Sequence, residues 1–349
     1  MQNKNRGFAW RFSQALLTAI IIGFFCSGIC IASYAGPQIV IKEEVLPATA
    51  ENPLIAITPN FESAETTLPF YIKNLFSFSN PPLWEKIDAA FAPMTWAELE
   101  TELIAVTEEY SGDWSIYVKD LSTQKTLSVN DHARECASLI KLYIMGTVLE
   151  QIELGQLEQT DKISALLDEM ITVSDNEAAN ELVRLLNPNR NHREGMKVVN
   201  DFITRHGYND TQQINGLEDR SLWVSSSEVN ETSARDCGEF LSSVYEGTLV
   251  SHLASRKMET LLLGQKVRYK IPTGLPNDVI SASKTGEMDS VENDVAIVYS
   301  KGGDFILCVL SSDWSSGNEA IGHIREISKL VYHYYNPVIE ISGISESKE

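Results

Sequence analysis

The sequence predicts an α+β fold, an α/β sandwich in which an antiparallel sheet is flanked by helices and carries an inserted all-helical lobe. Three observations predict it. The elements read along the chain as a helix, two strands, a run of helices, three strands and a closing helix. Tight turns, Ser122-Thr123-Gln124-Lys125 and Gly302-Gly303, join strands into antiparallel neighbours. The chain has 349 residues, 43% of them hydrophobic, which is enough to bury a large core.

The chain opens on Lys4, Arg6 and Arg11, and no further charge appears before Lys42. Ala15 to Ala32 is mostly apolar, and Ser33-Tyr34-Ala35 follows with small residues. Residues 1–35 therefore read as a secretory signal peptide, the alternative being a membrane anchor through residues 12–35. Either one makes the rest secreted or extracytoplasmic. Eight of the 12 prolines lie between Gly36 and Thr95, so residues 36–94 read as a proline-rich spacer. Its later part carries Phe70, Tyr71, Phe76, Phe78 and Trp84, which suits packing on the domain behind it.

The main domain is expected over residues 95–336, with a tail over 337–349. Thr95-Trp96-Ala97-Glu98 is a capping box, so a helix should run from there to Tyr110. Trp114 to Leu121 and Thr126 to Val129 read as the first hairpin. Ser138 to Leu154 is an apolar helix closed by Gly155, and further helices are expected over Asn176 to Leu186 and Arg193 to His206. Gln212 to Val229 is irregular. Thr232 to Glu246 and Leu253 to Leu263 are helical. Val279 to Lys284, Val291 to Tyr299 and Phe305 to Leu310 are strands, and Ala320 to Tyr335 closes the domain as a helix.

Charge and composition exclude some functions. Lys and Arg total 28 against 48 Asp and Glu, a net charge of −20 that repels phosphate backbones and argues against nucleic-acid binding. Cys136, Cys237 and Cys308 have no close spacing, so they form neither a disulfide framework nor a zinc pattern. One pair with a free thiol and three buried thiols both fit. The six histidines show no catalytic pattern and suit surface or packing roles.

The chemistry lies in three short motifs. Chance alone gives about one S-x-x-K per chain of this length, and this chain has four, at Ser122, Ser138, Ser281 and Ser345. Only Ser138 and Lys141 open a helix, where i and i+3 share a face. That helix is otherwise apolar, so the lysine should be buried. Desolvation lowers a lysine pKa and lets it serve as the base that a serine nucleophile needs. Ser138 as an N-cap with Lys141 reaching to solvent is the plainer alternative. Ser174-Asp175-Asn176 occurs once, and Ser174-x-x-Glu177 could also be a capping box. Lys284-Thr285-Gly286 occurs once, at the end of a strand.

In this order and on these elements, the three motifs resemble those of class A serine β-lactamases and the related penicillin-binding proteins. The resemblance covers about Thr95 to Asn336, including Asn230-Glu231-Thr232-Ser233-Ala234-Arg235-Asp236, and implies the β-lactamase/transpeptidase fold. It implies that Ser138 attacks a carbonyl and becomes acylated, that Lys141 takes its proton, and that Ser174 passes a proton to the departing nitrogen. Asn176 would hold the substrate amide, and Lys284 with Thr285 a substrate carboxylate. Gly286 would let substrate lie along the strand. The N–H groups of Ser138 and Glu287 would form the oxyanion hole. No metal and no cofactor is implied.

Two departures stand out. Class A enzymes carry E-x-x-x-N in the loop that supplies the deacylating base. Here Glu218 is close in position but Leu222 stands where Asn belongs, and Asp219 and Glu228 are further candidates. Glu287 also puts a carboxylate beside an anion site. The expected activity is hydrolysis of β-lactams or related cyclic amides through an acyl-serine. The alternatives are a D,D-peptidase or esterase on cell-wall peptides and a penicillin-binding sensor or surface module with slow deacylation.

Overall fold

The computed structural model describes residues 93–337. The signal or anchor segment, the spacer with its aromatic residues and the tail past Pro337 lie outside the described residues. Helix α1 spans Trp96–Glu109 and begins on the expected capping box. Glu98 N donates to Thr95 Oγ1 at 3.3 Å, and Thr95 N donates to Glu98 Oε2 at 2.7 Å. Strands β1 (Asp113–Asp120) and β2 (Thr126–Val129) form the first hairpin. Its turn is held by Asp120 Oδ1, which accepts from Ser122 N and Thr123 N at 2.9 and 2.8 Å. That is an Asx turn, the local alternative that aspartate offers to a continued ladder.

The sheet is completed from the far end of the chain by β5 (Ile280–Met288), β6 (Val291–Tyr299) and β7 (Phe305–Ser312). The strand order is β2-β1-β7-β6-β5, and every pairing is antiparallel. Alternation along the strands divides the core in two. Ile116, Val118, Leu307 and Val309 face α1 and the closing helix α8 (Gly317–Tyr335). Tyr117, Ile306, Cys308 and Leu310 face the helical lobe.

The lobe contains α2 (Ile140–Glu153), α3 (Asp161–Thr172), α4 (Asn176–Leu185), α5 (His192–Arg205), α6 (Ala234–Tyr245) and α7 (His252–Leu263). Every residue of α2 from Ile140 to Leu149 is buried, which accounts for its apolar character on all sides. Helix α3 corrects the sequence expectation, which assigns no element between Gly155 and Ser174. The signal is present. Ile163, Leu166, Leu167, Met170 and Ile171 recur at helical spacing, and Thr160 caps the start by accepting from Ile163 N.

Two strand-sized segments brace the site. β3 (Arg134–Glu135) and β4 (Glu231–Thr232) pair as a short ribbon. Cys136 N then donates to Asn230 O at 2.8 Å, so the chain is held on both strands just before Ser138. Cys136, Cys237 and Cys308 are free and buried. Among the described residues no helix is long and apolar enough to cross a membrane.

Candidate active site

Ser138 sits in a 3-10 turn, Ala137–Leu139, that runs into α2. Ala137 before it has φ +46°, a left-handed conformation that costs an alanine energy and persists only where packing imposes it. Here β5 imposes it. A Cβ on Gly286 would lie 2.8 Å from Cys136 O, so the absence of a side chain lets the strand close on the turn that holds Ser138. The N-cap position of α2 is Leu139, with no side-chain cap bond. Ser138 is thus not spent as a cap, and Lys141 does not reach solvent but is fully buried.

Lys141 Nζ has four oxygen neighbours. Ser174 O lies at 2.5 Å and Asn176 Oδ1 at 2.6 Å; Ser138 Oγ lies at 3.0 Å and Ser174 Oγ at 3.1 Å. The two nearest are carbonyl oxygens, which can only accept. The two farther are hydroxyls, which can also donate. A neutral amine has two N–H groups and one lone pair. Its N–H groups fit the carbonyls and its lone pair is left for a hydroxyl proton. Burial holds Lys141 down at about 7, despite the Asp175 and Glu218 carboxylates, which favour its charge.

Ser174 reaches this position through backbone as much as side chain. Its φ is +62°. The expected Ser174-x-x-Glu177 capping box does not form, because Asp175 caps α4 by accepting from Ala178 N at 2.7 Å. The Ser174 hydroxyl is thereby free to bridge the two lysines. Lys284 Nζ donates to it at 2.8 Å and to Thr285 O at 2.8 Å. Lys284 is buried, and desolvation together with the Lys141 charge holds it well below its ordinary range. Two ammonium groups on one hydroxyl repel, so the pair favours one proton over two.

Strand β5 runs to Met288, four residues past the expected end at Lys284, so Thr285, Gly286 and Glu287 are all on the strand that faces Ser138. Thr285 is buried and Glu287 exposed. The Glu287 carboxylate accepts a short hydrogen bond from Tyr269 OH, which draws it to the edge of the cleft.

Behind β5 lies a buried charge cluster absent from the sequence reading. Lys270 Nζ lies 2.5 Å from Glu292 Oε2 and donates to Gly286 O and Asn293 O, both at 3.1 Å. Asp294 Oδ2 accepts from Ile271 N at 2.8 Å, and burial pushes Asp294 up to about 7 even beside Lys270 and Lys284. Asn293 Nδ2 donates to Glu135 O at 3.1 Å and so ties β6 to the approach to Ser138. Charged residues within the apolar run of β6 were the available signal.

The loop from Gln212 to Asn230 closes the other side. Asn215 Oδ1 accepts from Val224 N and Ser225 N, and Asn230 Oδ1 from Ile214 N and Asn215 N. Asn180, on α4, clamps one residue of this loop. Its Nδ2 donates to Leu217 O at 2.8 Å and its Oδ1 accepts from Leu217 N at 2.9 Å. The residue so fixed is Leu217, not Glu218. Glu218 follows it at φ +57°, exposed, with no hydrogen bond or ion pair to its carboxylate among the described residues. It does line the cleft with Ser138. Asp219 is turned to its own loop, accepting from Ser221 N and Oγ. Glu228 is exposed on the rim of the smaller cavity.

Two cavities therefore open on Ser138. One of about 750 Å³ also reaches Ser174, Thr285 and Trp314. The other, of about 330 Å³, is lined by Asn176, Leu217, Trp223 and Val229. A serine beside a desolvated lysine, a second serine and a second buried lysine thus meet on an α+β sandwich. The chain belongs to the β-lactamase enzyme family, whose model matches residues 98–165 and 162–335.

Solved structures of similar fold include a β-lactamase from Sphaerobacter thermophilus, with a TM-score of 0.61 and 19% identity over 70% of this chain and 100% of that one. The structure of PBP-A has a TM-score of 0.61 and 19% identity over 71% and 100%. The class A β-lactamase of the last common ancestor of Gram-negative bacteria has 0.59 and 19% over 68% and 99%. At these identities the likeness is one of fold. No curated protein sequence matches the chain.

Proposed function

We propose that the chain is an acyl-serine amide hydrolase that opens β-lactams or related cyclic amides and releases the acyl group slowly. The observation that carries this reading is the contact set of Lys141. Two acceptor-only oxygens take its N–H groups at 2.5 and 2.6 Å and leave a lone pair for the Ser138 proton at 3.0 Å. Ser138 Oγ attacks the carbonyl carbon as its proton moves to Lys141 Nζ. The C–N bond then breaks, and the nitrogen takes a proton from Ser174 Oγ, which Lys284 and Lys141 reprotonate. Asn176 Oδ1 is engaged by Lys141, so its Nδ2 hydrogens are the donors it offers a substrate carbonyl. Lys284 and Thr285 receive a substrate carboxylate, and the N–H groups of Ser138 and Glu287 receive the oxyanion.

Slow release follows from the loop. Deacylation needs a carboxylate held against a water. Asn180 holds Leu217, and the Glu218 carboxylate has no partner to orient it among the described residues. This favours, as a second reading, a D,D-peptidase or penicillin-binding role on cell-wall peptides, in keeping with the fold likeness to PBP-A. The charge pattern of residues 1–35 supports action outside the cytoplasm. The test is intact-mass spectrometry after one equivalent of a penicillin. An adduct on Ser138 that persists supports the reading. One that vanishes as penicilloate builds up supports a fast β-lactamase, and no adduct on the wild type counts against acyl-serine chemistry on β-lactams.

A further inference from the structure

We propose that Lys270 is a positioning residue of the oxyanion hole, acting through the Gly286–Glu287 peptide unit. The proposal rests on the acyl-serine reading above, in which Glu287 N–H is one of the two donors. Lys270 is fully buried behind β5 and touches no part of the open cleft surface. Its Nζ lies 3.1 Å from both Gly286 O and Asn293 O. Gly286 and Asn293 are register partners across β5 and β6. In an antiparallel pair, facing carbonyls either both point into the gap between strands or both point away. Pointing away, they would be too far apart for one nitrogen to reach, so both point inward.

The direction of Glu287 N–H follows. A trans peptide is planar, with its C=O and N–H opposed. Gly286 O faces β6 and Lys270, so Glu287 N–H faces outward. The outward side of β5 is the sheet edge, since β5 is last in the strand order. Ser138 stands over the face of β5 on which Gly286 packs, and Glu287 lines the cleft with it beside that edge. The preceding carbonyl agrees with this. Thr285 O points toward the cleft, where Lys284 Nζ donates to it at 2.8 Å.

A cation on the carbonyl oxygen polarises the whole peptide unit and makes its N–H a stronger donor. Glu292 at 2.5 Å keeps the ammonium in place. The bond from Ile271 N to Asp294 Oδ2 holds the backbone beside it. A stronger donor favours the fully charged oxyanion over the neutral carbonyl, so its effect falls on the chemical step rather than on binding.

The test acylates the full chain with a β-lactam carrying carbon-13 at the reacting carbonyl, and reads the acylation rate and the infrared stretch of the labelled acyl-enzyme. Lys270→Met with Glu292→Met removes both charges and leaves no lone buried ion. The expected result is acylation slower by about tenfold, with the dissociation constant of the first complex changed by less than about twofold. The acyl carbonyl stretch moves to higher frequency, a change that general loosening of the fold does not produce in one direction. A folded variant with the wild-type rate and stretch overturns the proposal. If that double variant does not fold, Lys270→Gln, which keeps a donor without the charge, is read by the same two quantities. A wild-type chain that forms no adduct overturns the acyl-serine reading instead, so the two failures are distinct.

Discussion

Lys141 and Ser174 meet twice: the lysine Nζ lies 2.5 Å from the serine carbonyl oxygen and 3.1 Å from its hydroxyl oxygen. Both contacts depend on the left-handed backbone at Ser174, whose φ is +62°. That conformation turns carbonyl and side chain to one side. One residue thus gives the Lys141 amine both an acceptor-only carbonyl and a hydroxyl. Ala137, φ +46°, is likewise left-handed and directly precedes Ser138, so two strained residues flank the Lys141 contacts.

The first prediction concerns pH. Lys141 must be the free amine to accept the Ser138 proton, and burial sets it at about 7. Acylation should therefore rise as pH increases through about 7 and level off above it, as stopped-flow measurements from about pH 5 to about pH 9 will show. A profile flat or falling through that point speaks against Lys141 as the base. The folded pKa lies below the ordinary lysine value of 10.5, so the unfolded chain binds more protons between the two. For this group, stability rises with pH across that window.

The second concerns the bridge. Ser174→Ala removes the hydroxyl that joins Lys141 to Lys284 but leaves the carbonyl that orients Lys141. Acylation should slow by about a hundredfold with substrate binding retained. Ser138→Ala should form no adduct at all by intact mass. A persistent adduct on that variant would sink the assignment of the nucleophile.

The third concerns release. A positioned base contributes about a hundredfold or more, whereas the Glu218 carboxylate is exposed and unheld. Glu218→Gln should lengthen the lifetime of the acyl-enzyme by less than about tenfold. A much larger effect would make Glu218 the deacylating base after all.

The fourth concerns packing. Alanine at Gly286 sets a methyl 2.8 Å from Cys136 O, and the next neighbours, Leu139 Cγ and Ala137 Cβ, lie at 3.2 and 3.3 Å. No flexible side chain can give way to it at the nearest contact. Gly286→Ala should cost about 1–3 kcal/mol in denaturant unfolding. It should also slow acylation by about tenfold or more, because the oxyanion donor moves away from Ser138. Unchanged stability and rate would mean that strand and turn are not tightly packed.

The fifth concerns the loop clamp. Asn180→Ala leaves the Leu217 N–H and C=O without their side-chain partner. The loss should be about 2 kcal/mol of stability. Faster hydrogen exchange should be confined to the loop between Gln212 and Asn230. Exchange that rises throughout the lobe would refute a local clamp.

Much of the fold was legible because it rests on local rules. The Thr95 capping box, the Ser122–Lys125 turn and the apolar runs of β6 and β7 depend on a few adjacent residues. Helix α3 is equally local, since its apolar spacing is regular and Thr160 caps it. The four motif residues Ser138, Lys141, Ser174 and Lys284 stand out by type and order, and the structure joins them through hydrogen bonds of 2.8 to 3.1 Å. What could not be read locally was the use of each serine. Ser174 and Ser138 both look like caps, and only the placement of Asp175 and of the 3-10 turn releases them.

By itself the sequence determined the order of the elements, the apolar character of α2 and the three motifs that mark the family. Each is a matter of residue type and short spacing. Only the tertiary structure decided that Lys141 loses its water, that Leu217 rather than Glu218 is held over the cleft, and that Lys270 stands behind β5. Desolvation, the choice of clamped residue and the direction of a peptide dipole arise from segments distant in the chain, Lys270 being 23 residues before Asn293. They exist only once the sheet has closed on the helical lobe.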